Sequence, residues 1–271
     1  MPVAERKVWA KALQAAHDIS IVMSCKVTGI SRTAFYYEPQ LIDDSDIIDA
    51  LNQLVDKHPR WGFPKCFKRL RALGHRWNHK RVYRVYTELR LNMRRKTKKR
   101  LPTRNPEPLT VPAVIGKSWS MDFMSDSLHH QVRFRTFNVI DDFNREVLGI
   151  EIGTGMPAAR VTRYLDQLAA WHSYPEKVRV DNGPEFTSTE FTEWADRHHI
   201  KIDYIKPGCP YQNAFIERFN RTYRDEILDL YIFTSLHEVI ELTEEWIDLY
   251  NTERPHDSLN DMTPIEYKLA S

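Results

Sequence analysis

The order in which side-chain periodicity changes between Trp119 and Ile205 constrains the fold of this 271-residue chain more than any other feature. Three period-two runs follow one another: SWSMDFMSD, VRFRTFNVID and VLGIEIG. Their connections, one of them the turn-rich DDFNRE, are too short for a crossover, so these runs predict an antiparallel meander. In the first run Trp119, Met121 and Phe123 point one way, and Ser120, Asp122 and Met124 the other. The pattern then alternates. MPAARVTRYLDQLAAWH carries a helical stripe of Val161, Tyr164, Leu165 and Leu168, and KVRVD is a fourth strand. STEFTEWADRHH is a helix built on Phe191, Trp194 and Ala195, KIDYI a fifth strand, and a helix from Ala214 carries Ile216, Phe219, Tyr223 and Ile227. Strand-strand-strand-helix-strand-helix-strand-helix predicts a mixed five-stranded α/β sheet with flanking helices, not a doubly wound one.

Charge divides the chain differently. Residues 57–104 hold 18 Lys and Arg against one acid, Glu88, so the overall +2 leaves −15 on the remainder. Such segregation predicts a polyanion-binding module joined to an acidic one. Ile47, Ile48, Leu51, Leu54 and Val55 mark one helix, and HPRWGFP breaks it. PKCFKRLRAL is expected to bury Phe67, Leu70 and Leu73 and to stop at Gly74. HKRVYRVYTELRL is capped by Asn78 and striped by Val82, Val85, Tyr86 and Leu89. Its other face offers Lys80, Arg81, Tyr83 and Arg84, the helix-turn-helix pattern for a groove-entering helix. RRKTKKRLPTRNPEP, with Arg94, Arg95 and Lys96, lacks apolar periodicity and reads as an extended linker along a phosphate backbone.

Residues 1–40 form a helical preface in which Gly29 ends one helix and Ser31 caps the next; a small helix-turn-helix and a plain arm both fit. Near the C-terminus Ser235 opens a capping box with Glu238, before a helix through Val239, Leu242, Trp246 and Leu249. YNTERPHDSLNDMTPIEYKLAS reads as a polar loop with at most a last helical turn. The expected division is 1–40 N-terminal helical segment, 41–105 basic helix-turn-helix domain with linker, 106–230 α/β core, and 231–271 C-terminal helical extension. Cys25, Cys66 and Cys209 have no disulfide or zinc spacing, and no run approaches a membrane span; both features predict a cytoplasmic protein.

Three acids stand out by position. Asp122 is mid-strand, Asp181 ends a strand at an Asn-Gly-Pro turn, and Glu217 lies early on a helix, with 35 residues between it and Asp181. Glu217, Asn220, Arg221 and Arg224 share one helix face. Singly, each acid has an ordinary role: an arginine partner, a turn cap, and an i,i+4 helix pair with Arg221. Asp141 and Asp142 fall in a turn signal and are assigned as turn residues. His198, His199 and His256 lack metal-ligand spacing and are expected on surfaces, and Tyr211 and Gln212 in the loop before the last core helix are expected near DNA.

The strings SMDF, VDNGPEF, YQNAFIERFNRTYRDE and YNTERPHDSLNDMTPIEY, in that order, resemble those of bacterial insertion-sequence transposases. More narrowly, the chain is similar to the OrfB-type product whose core is like that of retroviral integrase. The resemblance runs from HPRWGFPKC to the C-terminus. It implies an RNase H-like core with an Asp, Asp, thirty-five residues, Glu active site: Asp122, Asp181 and Glu217 as catalytic residues and metal ligands. It implies Asn182 and Gly183 as turn residues and Arg224 as a basic position, with Arg221 beside it on DNA. It implies two Mg²⁺ ions, with Mn²⁺ as a substitute, since paired ions stabilise both the attacking and leaving oxygens of a phosphodiester. The expected partners are double-stranded DNA, further copies of the chain assembled on it, and an upstream OrfA-type product joined by frameshifting; no sustained heptad pattern is present here. The expected activity is metal-dependent cleavage of element ends and strand transfer near the nucleoid. The alternative is a non-catalytic DNA-binding regulator of the mobile element.

Overall fold

The computed structural model describes residues 1–38, 43–93, 109, 111–206 and 210–271, without the side chains of Pro210 and Tyr211. Arg94, Arg95, Lys96, the rest of the basic tail through Pro108, Cys209 and the Tyr211 side chain lie outside the described residues. The chain resolves into two compact units, Met1–Asp46 and Ile47–Ser271. Among the described residues no helix is long and apolar enough to cross a membrane.

The first unit holds helices α1 (Val3–His17), α2 (Ile21–Thr28) and α3 (Arg32–Tyr36). The Ser20 and Ser31 hydroxyls accept from the Met23 and Ala34 amides, and Gly29 closes α2 at φ 66°, where a side chain is disfavoured. Ala10, Cys25 and Phe35 form its small core.

The second unit opens with α4 (Ser45–Lys57), α5 (Phe63–Ala72) and α6 (His79–Glu88). Ile47, Leu51, Leu54, Leu70, Val82, Val85 and Tyr86 pack inward as their spacing predicts, and the Asn78 side chain caps α6 by accepting from the Lys80 amide. Leu73 departs from expectation: it is the residue after α5 and stays exposed. The helix starts earlier than its apolar stripe suggests, at Phe63 with Pro64 in the first turn, so Phe63, Cys66 and Leu70 make the buried face.

The sheet is β1 (Ser118–Ser127), β2 (Arg133–Asp141), β3 (Val147–Gly153), β4 (Lys177–Val180) and β5 (Lys201–Tyr204), in the order β3-β2-β1-β4-β5. The first three are antiparallel, and β4 and β5 run parallel to β1. Helices α7 (Ala158–His172) and α8 (Thr189–Arg197) cover one face, where Trp119, Met121, Phe137 and Val178 meet Leu165, Phe191 and Trp194. On the other face Phe134, Ile140 and Ile152 meet Ile216, Phe219 and Tyr223 of α9 (Ala214–Tyr223) and Trp246 of α10 (Leu236–Thr252). Gly149 fits α7 directly onto β3: a Cβ there would fall 2.2 Å from the Tyr164 hydroxyl. The β2–β3 register shifts at Val139/Ile140, and there the Asn251 side chain of α10 bonds both backbone groups of Val147, at 2.9 and 3.0 Å.

Asp142 is more than a turn residue. It is fully buried, accepts from the Ser118 and Ser120 hydroxyls, and pairs with Arg179 at 3.0 Å, locking the start of β1 to β4. The buried face of α10 is Val239, Thr243, Trp246 and Tyr250, with Leu242 and Leu249 only half-buried. This rotation lets the Thr243 hydroxyl meet Tyr223 Oη at 2.7 Å and lets Tyr250 pack edge-on against Phe219. Glu238 closes its capping interaction one residue early, on the amide and hydroxyl of Thr234. The last helical turn is a full helix, α11 (Pro264–Ala270), opened by a Thr-Pro-Ile-Glu capping box with Thr263 and Glu266 bonded reciprocally.

Candidate active site

Asp122 lies mid-β1 opposite Asn138 of β2. β4 pairs in parallel with β1 through Ser118↔Lys177, Trp119↔Val178 and Ser120↔Arg179. The same stagger, continued past the last paired residues, sets Asp181 level with Asp122 on the neighbouring strand. Asp181 ends β4 because its carboxylate turns back to accept the Gly183 amide at 2.9 Å. The turn is fixed from outside by Asn182, whose amide donates to the Ile205 carbonyl at 2.8 Å. Gly183 is needed here, since a Cβ would stand 2.9 Å from the Asp181 carboxylate.

Glu217 sits in the first turn of α9, an acid at the positive end of a helix dipole. Asn213, just before α9, donates to the Met121 carbonyl at 3.4 Å and ties the helix start to β1 beside Asp122. Both other acids act on Asp122. Burial pushes the Asp122 carboxyl up to about 6, and repulsion from Asp181 and Glu217 adds to it, while bonds from the Phe123 amide and Asn220 oppose the rise. Burial also raises Glu217. Among the described residues no three acid, His or Cys side chains stand close enough to hold one ion together.

Spacing sets Asn220 on the Glu217 face without indicating a role for it. Its amide donates to Asp122 Oδ2 at 2.7 Å, and its carbonyl accepts from buried Asn138 at 2.7 Å, so it bridges α9 to β1 and β2. The available signal is an amide three residues after the acid on a helix that otherwise favours longer side chains. Arg221 and Arg224 part company. Arg221 is exposed and pairs with Asp225 at 3.8 Å, not with Glu217. Arg224 turns to the end of β1, pairing with Asp126 at 3.0 Å and donating to the Ser125 carbonyl at 2.9 Å.

The helical module divides its cations in the same way. Lys57, His58 and Arg69 converge on Glu253, at 2.8, 3.2 and 3.5 Å, Lys65 approaches Glu226 at 3.6 Å, and Lys68 pairs with Asp257 and Asp261. Part of the basic excess of residues 57–104 is thus neutralised within the chain. Lys80 and Arg84 remain exposed on α6, Arg84 beside Glu88 at 3.9 Å, and Arg81 is half-buried. Gln212 accepts from the Lys206 amide at 2.8 Å. Of the histidines, His199 is exposed as expected, and His198 is half-buried and stacks on Tyr174 at 4.0 Å. His256 reverses the expectation. It is 9% exposed, because the Arg-Pro-His segment folds under α10 with its ring edge-on to Tyr250.

The fold defines an RNase H-like core of the integrase type, preceded by a helix-turn-helix-like module. Comparisons with known proteins agree with this class. The Integrase core domain family matches residues 115–210 and 198–264, and the HTH-like domain family matches residues 42–99. The "Insertion element IS476 uncharacterized 39.2 kDa protein" of Xanthomonas euvesicatoria is 38% identical over 90% of this chain and 71% of its own length. The "Insertion element IS407 uncharacterized 31.7 kDa protein" of Burkholderia multivorans is 34% identical over 94% of this chain and 93% of its own. The "Putative transposase InsK for insertion sequence element IS150" of Escherichia coli is 26% identical over 88% and 90%. A chain of the simian T-cell lymphotropic virus intasome, solved with PP2A regulatory subunit B56 gamma, shares the fold with a TM-score of 0.50 and 13% identity, over 81% of this chain and 74% of that one. The chain belongs to the insertion-sequence transposases that carry an integrase core domain.

Proposed function

We propose that this transposase cleaves the DNA ends of its element and joins a 3′-hydroxyl to another phosphodiester, with Asp122, Asp181 and Glu217 as the catalytic carboxylates. The observation that supports the reading is placement: Asp122 lies mid-β1, Asp181 stands level with it at the end of β4, and Glu217 is in the first turn of α9, whose start Asn213 ties to β1 beside Asp122. Carboxylates on neighbouring elements, two of which raise the pKa of the third, are a poor structural device and suit a divalent cation once they close on it. The donors are all oxygen, the chemistry of Mg²⁺ or Mn²⁺, and Mg²⁺ is commonly held by one or two carboxylates with water and substrate phosphate completing the shell. Such ions, when bound, lower the pKa of an attacking water or 3′-hydroxyl and neutralise charge on the leaving oxygen.

The chain's own groups hold and orient this arrangement. Asn220 fixes one Asp122 oxygen, the Phe123 amide fixes the other, and the Gly183 amide holds Asp181. Asn213 and Asn220 together keep α9, and with it Glu217, in register with β1. Lys80, Arg81 and Arg84 on α6, with Arg94, Arg95 and Lys96 beyond it, are the proposed duplex contacts of the helical module. Arg221 is proposed as a phosphate contact beside Glu217, and Arg224 as one that reaches DNA only by leaving Asp126. Assembly of several copies on DNA, and fusion to an upstream OrfA-type product, complete the proposed active form.

The test is the purified chain with Mg²⁺ or Mn²⁺ and labelled element-end duplex. End cleavage and joined products are expected, and both should vanish in Asp181→Asn and Glu217→Gln while duplex binding persists. Products that survive Asp181→Asn would refute the site. Binding without metal-dependent products, alone or fused to the upstream product, would favour the regulator.

A further inference from the structure

The Arg-Pro-His segment, which the proposed chemistry does not use, lines a cavity of about 680 Å³ beside Glu217. Lys65, Arg145, Arg218, Arg221, Arg254 and His256 face it from α5, the β2–β3 turn, α9 and the segment itself. Two buried polar atoms there, Arg145 Nη1 and His256 Nε2, have no hydrogen-bond partner among the described residues. Buried polar groups without partners are costly, and side chains this well packed are not free to seek water. The Arg145 guanidinium lies 3.5 Å from the centre of the Phe215 ring. Acids neutralise part of this wall: Glu226 pairs with Arg254 and Lys65, and Asp225 with Arg221, while Asp257 takes Lys68. Among the described residues Arg145, Arg218 and His256 have no ion pair.

The local field is positive enough to act on other groups. Lys65 is pushed down to about 8 by burial and then by Arg254. His256 is kept neutral by burial and by Arg254, Lys65 and Arg145. A second cleft, of about 360 Å³, shares Lys65, Arg218, Arg221 and Arg254 and reaches Arg60 in the loop after α4, with Asp225 and Glu226 also on its wall. The two clefts make a trough from Glu217 to the helical module.

We propose that this trough is a phosphodiester track: it grips the backbone of a DNA strand next to the phosphate at the acids, with Arg145, Arg218 and His256 as the contacts nearest Glu217. Guanidinium groups arranged along a groove suit successive phosphates, and a strand there reaches the acids and the helical module together. The inference rests on the reading of the chain as acting on DNA. It adds a strand path and names Arg145, Lys65, Arg218, Arg254 and His256 as its walls.

The experiment measures equilibrium binding in Ca²⁺ buffer, where no turnover is needed, across a salt series. Two probes are used: an element-end duplex with a recessed 3′-hydroxyl and a short random-sequence duplex. Removing one phosphate-binding side chain should reduce the slope of log K against log salt by about 0.9. Arg218→Gln, at an exposed position, and Arg145→Gln should each show that reduction. A change confined to the element-end probe assigns the track to the element strand, and a change confined to the random duplex assigns it to target DNA. A change on both assigns it to either strand in turn. Unchanged slopes on both probes overturn the proposal. As an independent arm, millimolar inorganic phosphate at constant ionic strength should raise the melting temperature of the wild type more than that of Arg218→Gln. Equal shifts would refute a built anion site. Reduced slopes in a chain that never cleaves DNA would uphold the track and sink the catalytic reading; normal cleavage with unchanged slopes would do the reverse.

Discussion

Asn220 offers the sharpest perturbation of the acids without touching one of them. Its amide bonds one oxygen of Asp122 at 2.7 Å, a charge-assisted hydrogen bond that favours the ionised carboxyl. Such bonds contribute about 1.5–3 kcal/mol, equivalent to about 1–2 pH units on the group they stabilise. Asp122 already stands at about 6 because it is buried and repelled by Asp181 and Glu217. Asn220→Ala therefore raises it further, by less than burial or either acid does. At pH 7 a larger share of the carboxyl is then protonated. If Asp122 takes a divalent ion as proposed, a proton on it competes, so the pH profiles of Mn²⁺ affinity and cleavage should both shift to higher pH in the variant. The same substitution strands the buried Asn138 amide, which donates to Asn220, at a cost of about 1–3 kcal/mol in stability. Calorimetric Mn²⁺ titrations and single-turnover cleavage from pH 6 to 9 separate the two effects. A stability loss alone, with pH profiles superimposed on those of the wild type, would refute the electrostatic argument.

Two further outcomes follow from buried groups away from the acids. Asp142→Ala leaves Arg179, itself almost wholly buried, facing Asp203 at 3.4 Å; urea denaturation should show a loss of about 3–5 kcal/mol, and a loss below about 1 would contradict a structural role for the pair. His256 stays neutral in the folded chain far below its ordinary 6.5, so the unfolded chain binds the extra proton as pH falls. Its contribution is complete above pH 7 and declines below 6.5, reaching a loss of about 1.4 kcal/mol at pH 5.5. Asp122 and Asp141, both raised to about 6, act in the opposite direction, so the quantity to measure is the pH dependence of the difference between wild type and His256→Gln. A difference that does not vary between pH 7 and 5.5 would refute the assignment.

Much of the architecture is legible in the sequence because its periodicities are strong and its turns short. The meander, the alternating helices and the inward stripes of α4, α6, α7, α8 and α9 follow from spacing alone. Errors arise where local pattern and packing disagree. Leu73 continues an apolar stripe, but the helix has ended before it, and α10 turns one position so that Thr243 and Tyr250 find aromatic and hydroxyl partners. Asp142 and His256 look like surface residues in a polar string. They become buried through partners far away in sequence, Arg179 for the one and the underside of α10 for the other. The positions of Asp122, Asp181 and Glu217 on strand, strand end and helix start are readable; the bridging of Asp122 to Asn138 through Asn220 is not, because it depends on how α9 crosses β1 and β2. The internal pairing of the α5 cations is also hidden, since a charge run does not reveal which acids will face it.

The proposed function requires Asp122, Asp181 and Glu217, which do not stand close enough together to hold an ion in this structure, to close on divalent ions when these bind. Replacing Mg²⁺ with Fe²⁺ under ascorbate and peroxide, and mapping backbone cuts by mass spectrometry, tests it without needing the element's DNA. Cuts are expected close to residues 122, 181 and 217, suppressed by excess Mg²⁺ and abolished together in Asp181→Asn. Cuts elsewhere, or cuts at these three places that persist unchanged in Asp181→Asn, would contradict it.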